Sequence, residues 1–177
     1  LLTIADAIEA RSVELLAANA KDMEAGHAAG LNSSLLDRLL LTPERIQGIA
    51  GGTRQVSELP DPLGNTLRKS TLPNGIKLEQ ITVPFGVIGM VYEARPNVTV
   101  DAAVILLMSG NAGLLRGSSS ASHSNEILVR VMRDALATTS ISPDVIQLVP
   151  SEDRETVKAL LNARGKVDLV IPRGSAA

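Results

Sequence analysis

The chain has 177 residues, of which 45% are hydrophobic, and its formal net charge is −2. That length allows one sizeable core with an added sub-element and excludes two full domains of typical size. The 17 basic residues are dispersed, and Phe85 and Tyr92 are the only aromatic residues. Nucleic-acid binding would require a basic stripe or stacking aromatic side chains, so we expect no nucleic-acid partner.

Several kinds of site are excluded by residues that the chain lacks. It contains no cysteine, which excludes disulfides, thiolate zinc sites and a cysteine nucleophile from these residues. His27 and His123 have neither metal-ligand spacing nor a partner nucleophile, so we expect both to be solvated and predict no metal site. No apolar run reaches the roughly 18 residues that cross a bilayer, and the N-terminus lacks a signal-peptide pattern. We therefore expect a cytoplasmic protein with no membrane partner.

The N-terminal part, residues 1–60, is predicted to be helical. Apolar residues near a 3.6-residue period predict one amphipathic helix over residues 1–25, and a short helix is predicted over residues 33–40. The next helix has a clear start, with Thr42 as its N-cap and Pro43 at its first position. We expect these helices to pack on the domain that follows.

A β-hairpin is predicted next, within residues 61–84. The sequence "TLRKSTLPNGIKLEQITV" places Asn74-Gly75 between two strand-like runs, and Asn-Gly is a strong hairpin signal. The runs are partly polar, which favours an exposed ribbon over a buried sheet.

The remaining segment, residues 85–177, alternates strands with helices. The strand-like runs are "GVIGMVYE", "LLR", "DVIQLV" and "VDLVI". The helices between them are predicted from Val100 to Ser109, from Ser120 to Thr138, and after Ser151 as a cap with Glu152 and Asp153 in the first turn. Such alternation predicts an α/β fold with a Rossmann-like parallel sheet and helices on both faces.

Ligands of such sheets bind beyond the C-terminal ends of the strands. Those ends carry "EARPN", "RGSSS", "PSED" and "PRGS". Arg116 ends one strand and Ser118 and Ser119 follow it, so a forked cation and a helix N-terminus would meet an anionic cofactor group there. A surface arginine paired with a carboxylate and two serine helix caps are the alternative interpretation. No GxGxxG sequence provides a standard Rossmann fingerprint.

The segment "VPFGVIGMVYEARPNVTVDAAVILLMSGNAGLLRGSSSA" is similar to the cofactor-binding core of the gamma-glutamyl phosphate reductase family, within the aldehyde dehydrogenase superfamily. "AANAKDMEAG", "LLLTPERI" and "VDLVIPRGSAA" agree with that family in order and spacing, so the resemblance covers essentially the whole chain. It implies NADPH-dependent reduction of gamma-glutamyl phosphate to glutamate-5-semialdehyde and phosphate in proline biosynthesis. Gly113 departs from the family, which usually has Val or Ile there, and glycine leaves open where that strand begins.

The resemblance implies roles for residues at the strand ends. Asn97 matches the asparagine whose side-chain N–H helps to form the oxyanion hole, although a cap of the helix starting near Thr99 is the alternative. Arg95 and Arg173 are candidates to bind the phosphate or the alpha-carboxylate of the substrate. Ion pairs with Glu93 or Asp168 explain these two arginines equally well.

The resemblance also implies how the cofactor is held. Arg116, Gly117, Ser118 and Ser119 match the strand end that binds the adenosine ribose and 2′-phosphate of NADPH. Gly174 and Ser175, in a further turn, match the residues close to the pyrophosphate and the nicotinamide.

The division that follows from the resemblance is N-terminal helices (1–60), a hairpin acting as oligomerisation arm (61–84) and an NADPH-binding core (85–177). A catalytic domain with the nucleophilic cysteine is expected after residue 177, so the chain alone is expected to be inactive. The expected partners are the small-molecule substrate, further copies in a homo-oligomer, and a glutamate 5-kinase. A non-catalytic nucleotide-binding or oligomerisation module, and the reductase half of a bifunctional kinase and reductase, are the alternatives.

Overall fold

The computed structural model describes residues 1–151, 153 and 155–174. The helices and strands have the following bounds: α1 (Leu2–Ala10), α2 (Ser12–Ala28), α3 (Ser33–Leu39), α4 (Pro43–Ser57), β1 (Thr66–Thr71), β2 (Lys77–Ile81), β3 (Val87–Tyr92), α5 (Pro96–Met108), β4 (Ala112–Arg116), α6 (Ser122–Ala137), β5 (Ile146–Leu148), α7 (Glu155–Asn162) and β6 (Leu169–Arg173).

The central feature is a four-stranded parallel sheet in the order β5-β4-β3-β6. Ile88 and the second residue of β4, Gly113, lie on the face that packs against α5. The neighbouring Gly89 faces Leu160 of α7, where an added Cβ would lie 3.6 Å from the leucine side chain. Helices therefore cover both faces, which confirms the predicted α/β class.

Gly113 lies inside β4, which begins at Ala112. A Cβ at this position would come within 2.8 Å of the Leu106 side chain and 3.2 Å of the Ile146 side chain. Those two side chains therefore fill the space that a larger residue at position 113 would need, so the strand keeps its register despite the glycine.

The N-terminal helical segment is broken at Arg11, so the prediction of one helix over residues 1–25 is wrong. Arg11 has φ −103° and ψ 22°, and its guanidinium forms ion pairs with Glu14 and Asp134. The helix α1 buries Ile4 and Ile8 and packs mainly on α4 and α6, whereas α2 packs on α6 and α3. The break lets the two helices follow these different surfaces.

Two helix starts differ from the predicted ones. The helix α5 begins at Pro96 rather than Val100, because proline favours the first helical position and Val98 and Thr99 are already buried in the first turn. The helix α7 begins at Glu155, and Ser151 is not its cap; the Asp153 carboxylate instead accepts the N–H of Glu155 at 2.8 Å. Glu152 lies outside the described residues. The predicted start at Thr42-Pro43 is confirmed, with the Thr42 hydroxyl accepting the N–H of Arg45.

The predicted hairpin is confirmed as a separate antiparallel sheet of β1 and β2. Gly75 has φ +83° in its turn, a left-handed conformation that glycine adopts without strain. Nearly every residue of both strands is exposed. Within the described part of the chain, no helix has the length and apolar character required to cross a membrane.

Candidate functional site

Asn97 is the second residue of α5, directly beyond the C-terminal end of β3. Its exposed side chain donates from Nδ2 to Oδ2 of Asp101, one helical turn further on, at 3.0 Å. Asn97 therefore lies inside the helix, and its alternative interpretation as a helix cap is wrong.

A cavity of about 370 Å³ opens beside Asn97. Its charged lining residues are Asp37, Arg38, Arg45 and Asp101. Arg45 is already held by an ion pair with Asp37 at 2.7 Å, so it fastens α3 to α4. The cavity thus presents the Asn97 amide together with two side chains, Arg38 and Asp101, whose charges are opposite.

The Asp101 carboxyl is subject to opposing influences. Its partial burial raises the pKa of Asp101 above its ordinary value, while the Asn97 hydrogen bond and the positive charge of Arg173 act in the lowering direction. Arg173 ends β6 and is the register partner of Tyr92 on β3, so it lies at the same edge of the sheet as Asn97. The positive charge of Arg173 therefore acts on the Asp101 carboxyl from the neighbouring strand end.

Arg95 lines a second cavity, of about 430 Å³, which shares Arg38 with the first. Arg38, Glu93, Ser118 and Ser120 also line this cavity, so it collects two cations, one carboxylate and two hydroxyls. The Nε atom of Arg95 is buried and has no hydrogen-bond partner among the described residues. Glu93 lies 4.0 Å from the Arg38 guanidinium.

Arg116 reaches across the sheet to the loop that follows β5. Its Nη2 atom donates to the carbonyl oxygens of Ser151 at 3.0 Å and Asp153 at 3.5 Å. Its Nε atom is buried and has no partner among the described residues. Among the described residues, its hydrogen-bond partners are these two backbone carbonyls and not the carboxylate of the alternative interpretation. Arg116 therefore fastens this loop and keeps unused donor capacity.

The residues after Arg116 form a tight turn into α6. Gly117 packs against Asn125 and Tyr92, and a Cβ there would overlap the Asn125 amide. Ser118 Oγ accepts the N–H of Ser120 at 3.3 Å, and Ser119 begins the 3₁₀ turn that leads into α6. Ser118 therefore acts as a cap.

The other two candidate residues, Gly174 and Ser175, follow β6 in the sequence. Gly174 lies beside Glu93, where a Cβ would be 3.4 Å from the glutamate Cγ. Ser175 lies outside the described residues. Gly174 is thus brought to the β3 end of the sheet edge, next to the turn that carries Arg95.

A buried hydrogen-bond chain beneath this edge was not predicted. The Tyr92 hydroxyl is 2.8 Å from Thr99 Oγ1, which donates to Asn125 Oδ1 at 2.6 Å. Burial raises the pKa of Tyr92 to about 12, so the phenol stays neutral and can take part in the chain. These hydrogen bonds join β3, α5 and α6. The one feature of the sequence that indicated them was a tyrosine inside an apolar strand.

His123 is exposed as predicted but is not simply solvated. Its Nδ1 lies 2.8 Å from a carboxylate oxygen of Asp22, which is only 1% exposed. Asp22 also accepts the backbone N–H groups of His123 and Ser124. His27 is exposed. The described residues contain no group of His, Cys, Asp or Glu that could hold a metal ion.

No protein-family model matches this chain, but a curated protein is clearly related to it. The curated gamma-glutamyl phosphate reductase of Thermobifida fusca is 54% identical over 176 residues, which cover 99% of this chain and 42% of that protein. This chain is a homologue of the gamma-glutamyl phosphate reductases. The resemblance carried by the sequence motifs is therefore confirmed.

Solved structures of a gamma-glutamyl phosphate reductase and of a propionaldehyde dehydrogenase have the same fold as this chain. The gamma-glutamyl phosphate reductase of Thermotoga maritima has a TM-score of 0.95 and 37% identity, covering 98% of this chain and 42% of that one. A propionaldehyde dehydrogenase of Clostridium phytofermentans shares the fold at 14% identity, with a TM-score of 0.66 over 97% of this chain and 35% of that one. The chain thus spans about 42% of the reductases that it matches, corresponding to their N-terminal portion.

Proposed function

We propose that this chain is the cofactor-binding part of an enzyme that reduces gamma-glutamyl phosphate with NADPH to glutamate-5-semialdehyde and phosphate in proline biosynthesis. Homology to the reductases supports the reaction. One observation supports the site: the C-terminal ends of three adjacent strands carry an amide donor, Asn97, and three arginines, Arg95, Arg116 and Arg173. A substrate and a cofactor that both bear phosphate groups require cations at such an edge.

Asn97 is assigned to the oxyanion hole. Its amide is exposed at the start of α5, so it can donate to an oxygen on which negative charge develops during acyl transfer. A donor in that position is worth roughly 3 kcal/mol of barrier. The nucleophile of that reaction must come from residues outside this chain, since the 177 residues contain no cysteine.

NADPH is assigned to the strand end formed by Arg116, Gly117, Ser118 and Ser119, together with the turn at residues 174–175. The residues fit such a group because Arg116 has a buried Nε with no partner among the described residues, and the half-buried Ser118 and the exposed Ser119 follow it in the same turn. The guanidinium would bind the 2′-phosphate, and the hydroxyls and N–H groups of the turn would complete the site. When bound, NADPH supplies the hydride.

Arg95 and Arg173 are assigned to the anionic groups of the substrate. Arg95 lines a cavity with Arg38, Glu93 and two serine hydroxyls; its two cations outnumber the one carboxylate, and the cations and hydroxyls are donors suited to phosphate. Arg173 lies near Asp101 and Asn97, where the alpha-carboxylate or the phosphate of gamma-glutamyl phosphate would need a cation. We further propose a cytoplasmic enzyme that forms a homo-oligomer through its hairpin and takes its substrate from a glutamate 5-kinase.

The proposed function is tested by Asn97→Ala in a full-length reductase that carries this chain. We expect kcat to fall about a hundredfold or more, with little change in the Kd of NADPH, because the amide contributes only when charge develops. Steady-state kinetics and a cofactor titration measure both quantities. Asn162→Ala is the matched control, since that asparagine is exposed at the end of α7, away from the strand ends.

Absence of reductase activity in the unmodified protein would contradict the proposed reaction. An unchanged kcat with a lowered melting temperature in Asn97→Ala would instead show that the asparagine only stabilises α5, and its role in the oxyanion hole would be withdrawn.

A further inference from the structure

We propose that Asp101 is a positioning residue, whose carboxylate holds the Asn97 amide with its N–H group directed for use in the oxyanion hole. This inference rests on the proposed function, because an oxyanion donor has a role only if acyl transfer takes place. The observations that carry it are the contact between the two side chains, the influence of the Arg173 charge on Asp101, and the cavity that both residues line.

The contact fixes which end of the amide faces Asp101. Asn97 Nδ2 donates to Asp101 Oδ2 at 3.0 Å, and the two residues are four positions apart on one helix, where side chains are neighbours. An ionised carboxylate can only accept hydrogen bonds, so it binds the NH₂ end of the amide and not its oxygen. Because the NH₂ group has two hydrogens, one remains for a second acceptor.

Restricting the Asn97 amide to one orientation matters for the rate of the proposed reaction. The Asn97 side chain is exposed, so without a partner it would exchange between rotamers and between its two amide faces. Catalytic donors must be held close to the productive geometry, and a misplacement of about 1 Å can cost roughly a hundredfold in rate. A charge-assisted bond from a carboxylate supplies this restraint.

Two groups oppose the effect of burial on Asp101. Burial raises the pKa of the Asp101 carboxyl, whereas the Asn97 hydrogen bond and the positive charge of Arg173, at the end of β6, favour the ionised form that the contact uses. The carboxylate, the amide and Arg38 all line the same cavity of about 370 Å³, which is large enough to admit a substrate. The restrained N–H therefore borders a space in which a reacting oxygen can lie.

The test uses a full-length reductase that carries this chain, assayed with glutamate-5-semialdehyde, inorganic phosphate and NADP. In Asp101→Leu we expect kcat to fall by about ten- to a hundredfold, with the KM of the semialdehyde and the Kd of NADPH changed less than about twofold. Asp101→Asn retains a carbonyl acceptor, so it should recover most of the lost kcat. Asp134→Asn, which removes an exposed carboxylate paired with Arg11, is the matched control and should leave kcat unchanged.

A double-mutant cycle separates positioning from a merely structural role. Once Asn97→Ala has removed the amide, adding Asp101→Leu should lower kcat by less than about twofold further, because the two residues act as one unit. Asp101→Ala provides a second substitution in case the leucine variant does not fold.

Three results would overturn the proposal. They are a kcat that stays at the wild-type value in Asp101→Leu and Asp101→Ala, a KM that rises while kcat is unchanged, and equal losses from Asp101→Leu with and without Asn97. An inactive wild-type protein would refute the proposed function itself, and the role of Asp101 with it. Activity in the wild type and a normal kcat in Asp101→Leu and Asp101→Ala would refute only the positioning role.

Discussion

The guanidinium of Arg116 has two roles here: it holds a loop, and it places a positive charge at the end of β4. It holds the loop after β5 through the carbonyls of Ser151 and Asp153, and its Nε is buried without a partner within the described chain. Backbone carbonyls satisfy hydrogen bonds but do not neutralise the charge. The arginine therefore retains a positive charge at the strand end, where an anion would be bound favourably.

Arg116→Ala should weaken NADPH binding by about 2 kcal/mol, as expected for a charged hydrogen-bonded pair. NADH lacks the 2′-phosphate, so its dissociation constant should change much less. The ratio of the NADH to the NADPH dissociation constant should therefore decrease. Dissociation constants of both cofactors, measured at one salt concentration in a full-length reductase that carries this chain, provide the comparison.

Arg133→Ala is the matched control for that measurement. Arg133 also donates to backbone carbonyls, those of Pro143 and Ile146, but it does so at the start of β5 and not at the C-terminal edge of the sheet. Equal losses of NADPH and NADH affinity in Arg116→Ala would mean that the arginine only supports the loop.

Helix α6 is an element whose start depends on another helix. Asp22 on α2 accepts the N–H groups of His123 at 3.1 Å and Ser124 at 2.8 Å, and it also binds the Ser124 hydroxyl at 2.6 Å. The residue before the helix, Ala121, has an apolar side chain and cannot cap it. The carboxylate therefore satisfies free N–H groups and the positive end of the helix dipole from outside the helix.

Asp22→Ala should lower the free energy of unfolding by about 2–4 kcal/mol, because it leaves buried donors at the start of α6 without an acceptor. Urea unfolding of the chain measures the change. Asp134→Ala removes a carboxylate that is 61% exposed and should cost less than about 1 kcal/mol. A loss in Asp22→Ala no larger than in this control would contradict the capping role.

At the scale of the whole molecule, the hairpin is the part with the least support from the rest of the chain. It forms its own two-stranded sheet, and such a unit is marginally stable in water without further packing. Several of its apolar side chains are exposed: Leu67, Ile76, Leu78 and Ile81, with Val83 and Phe85 directly after it. These properties support its assignment as an arm that is covered by another subunit.

Leu78→Asp combined with Ile81→Asp should therefore shift a full-length reductase that carries this chain to a smaller assembly. The two residues are about half exposed here, and a covering subunit would have to bury the introduced charges. Light scattering coupled to size-exclusion chromatography reports the mass. Val13→Asp, on an exposed apolar residue of α2, is the control, and an unchanged mass in the hairpin variant would refute the assignment.

The sequence by itself determined the features that follow from local backbone chemistry. Asn74-Gly75 specified the hairpin turn, Thr42-Pro43 specified the start of α4, and short apolar runs between helices specified a parallel sheet. Pro96 gave a similar local signal for the start of α5, yet the predicted start was four residues late. Family motifs then located the strand ends that carry Asn97 and Arg116.

Only the tertiary structure decided which groups meet at those strand ends. The partners of Arg116 lie 35 and 37 residues away, and Asp22 caps a helix about 100 residues further along the chain. The break at Arg11 and the Tyr92–Thr99–Asn125 chain depend likewise on packing between distant elements. Such contacts form because buried polar groups must find partners wherever the fold places them, and sequence spacing does not contain that information.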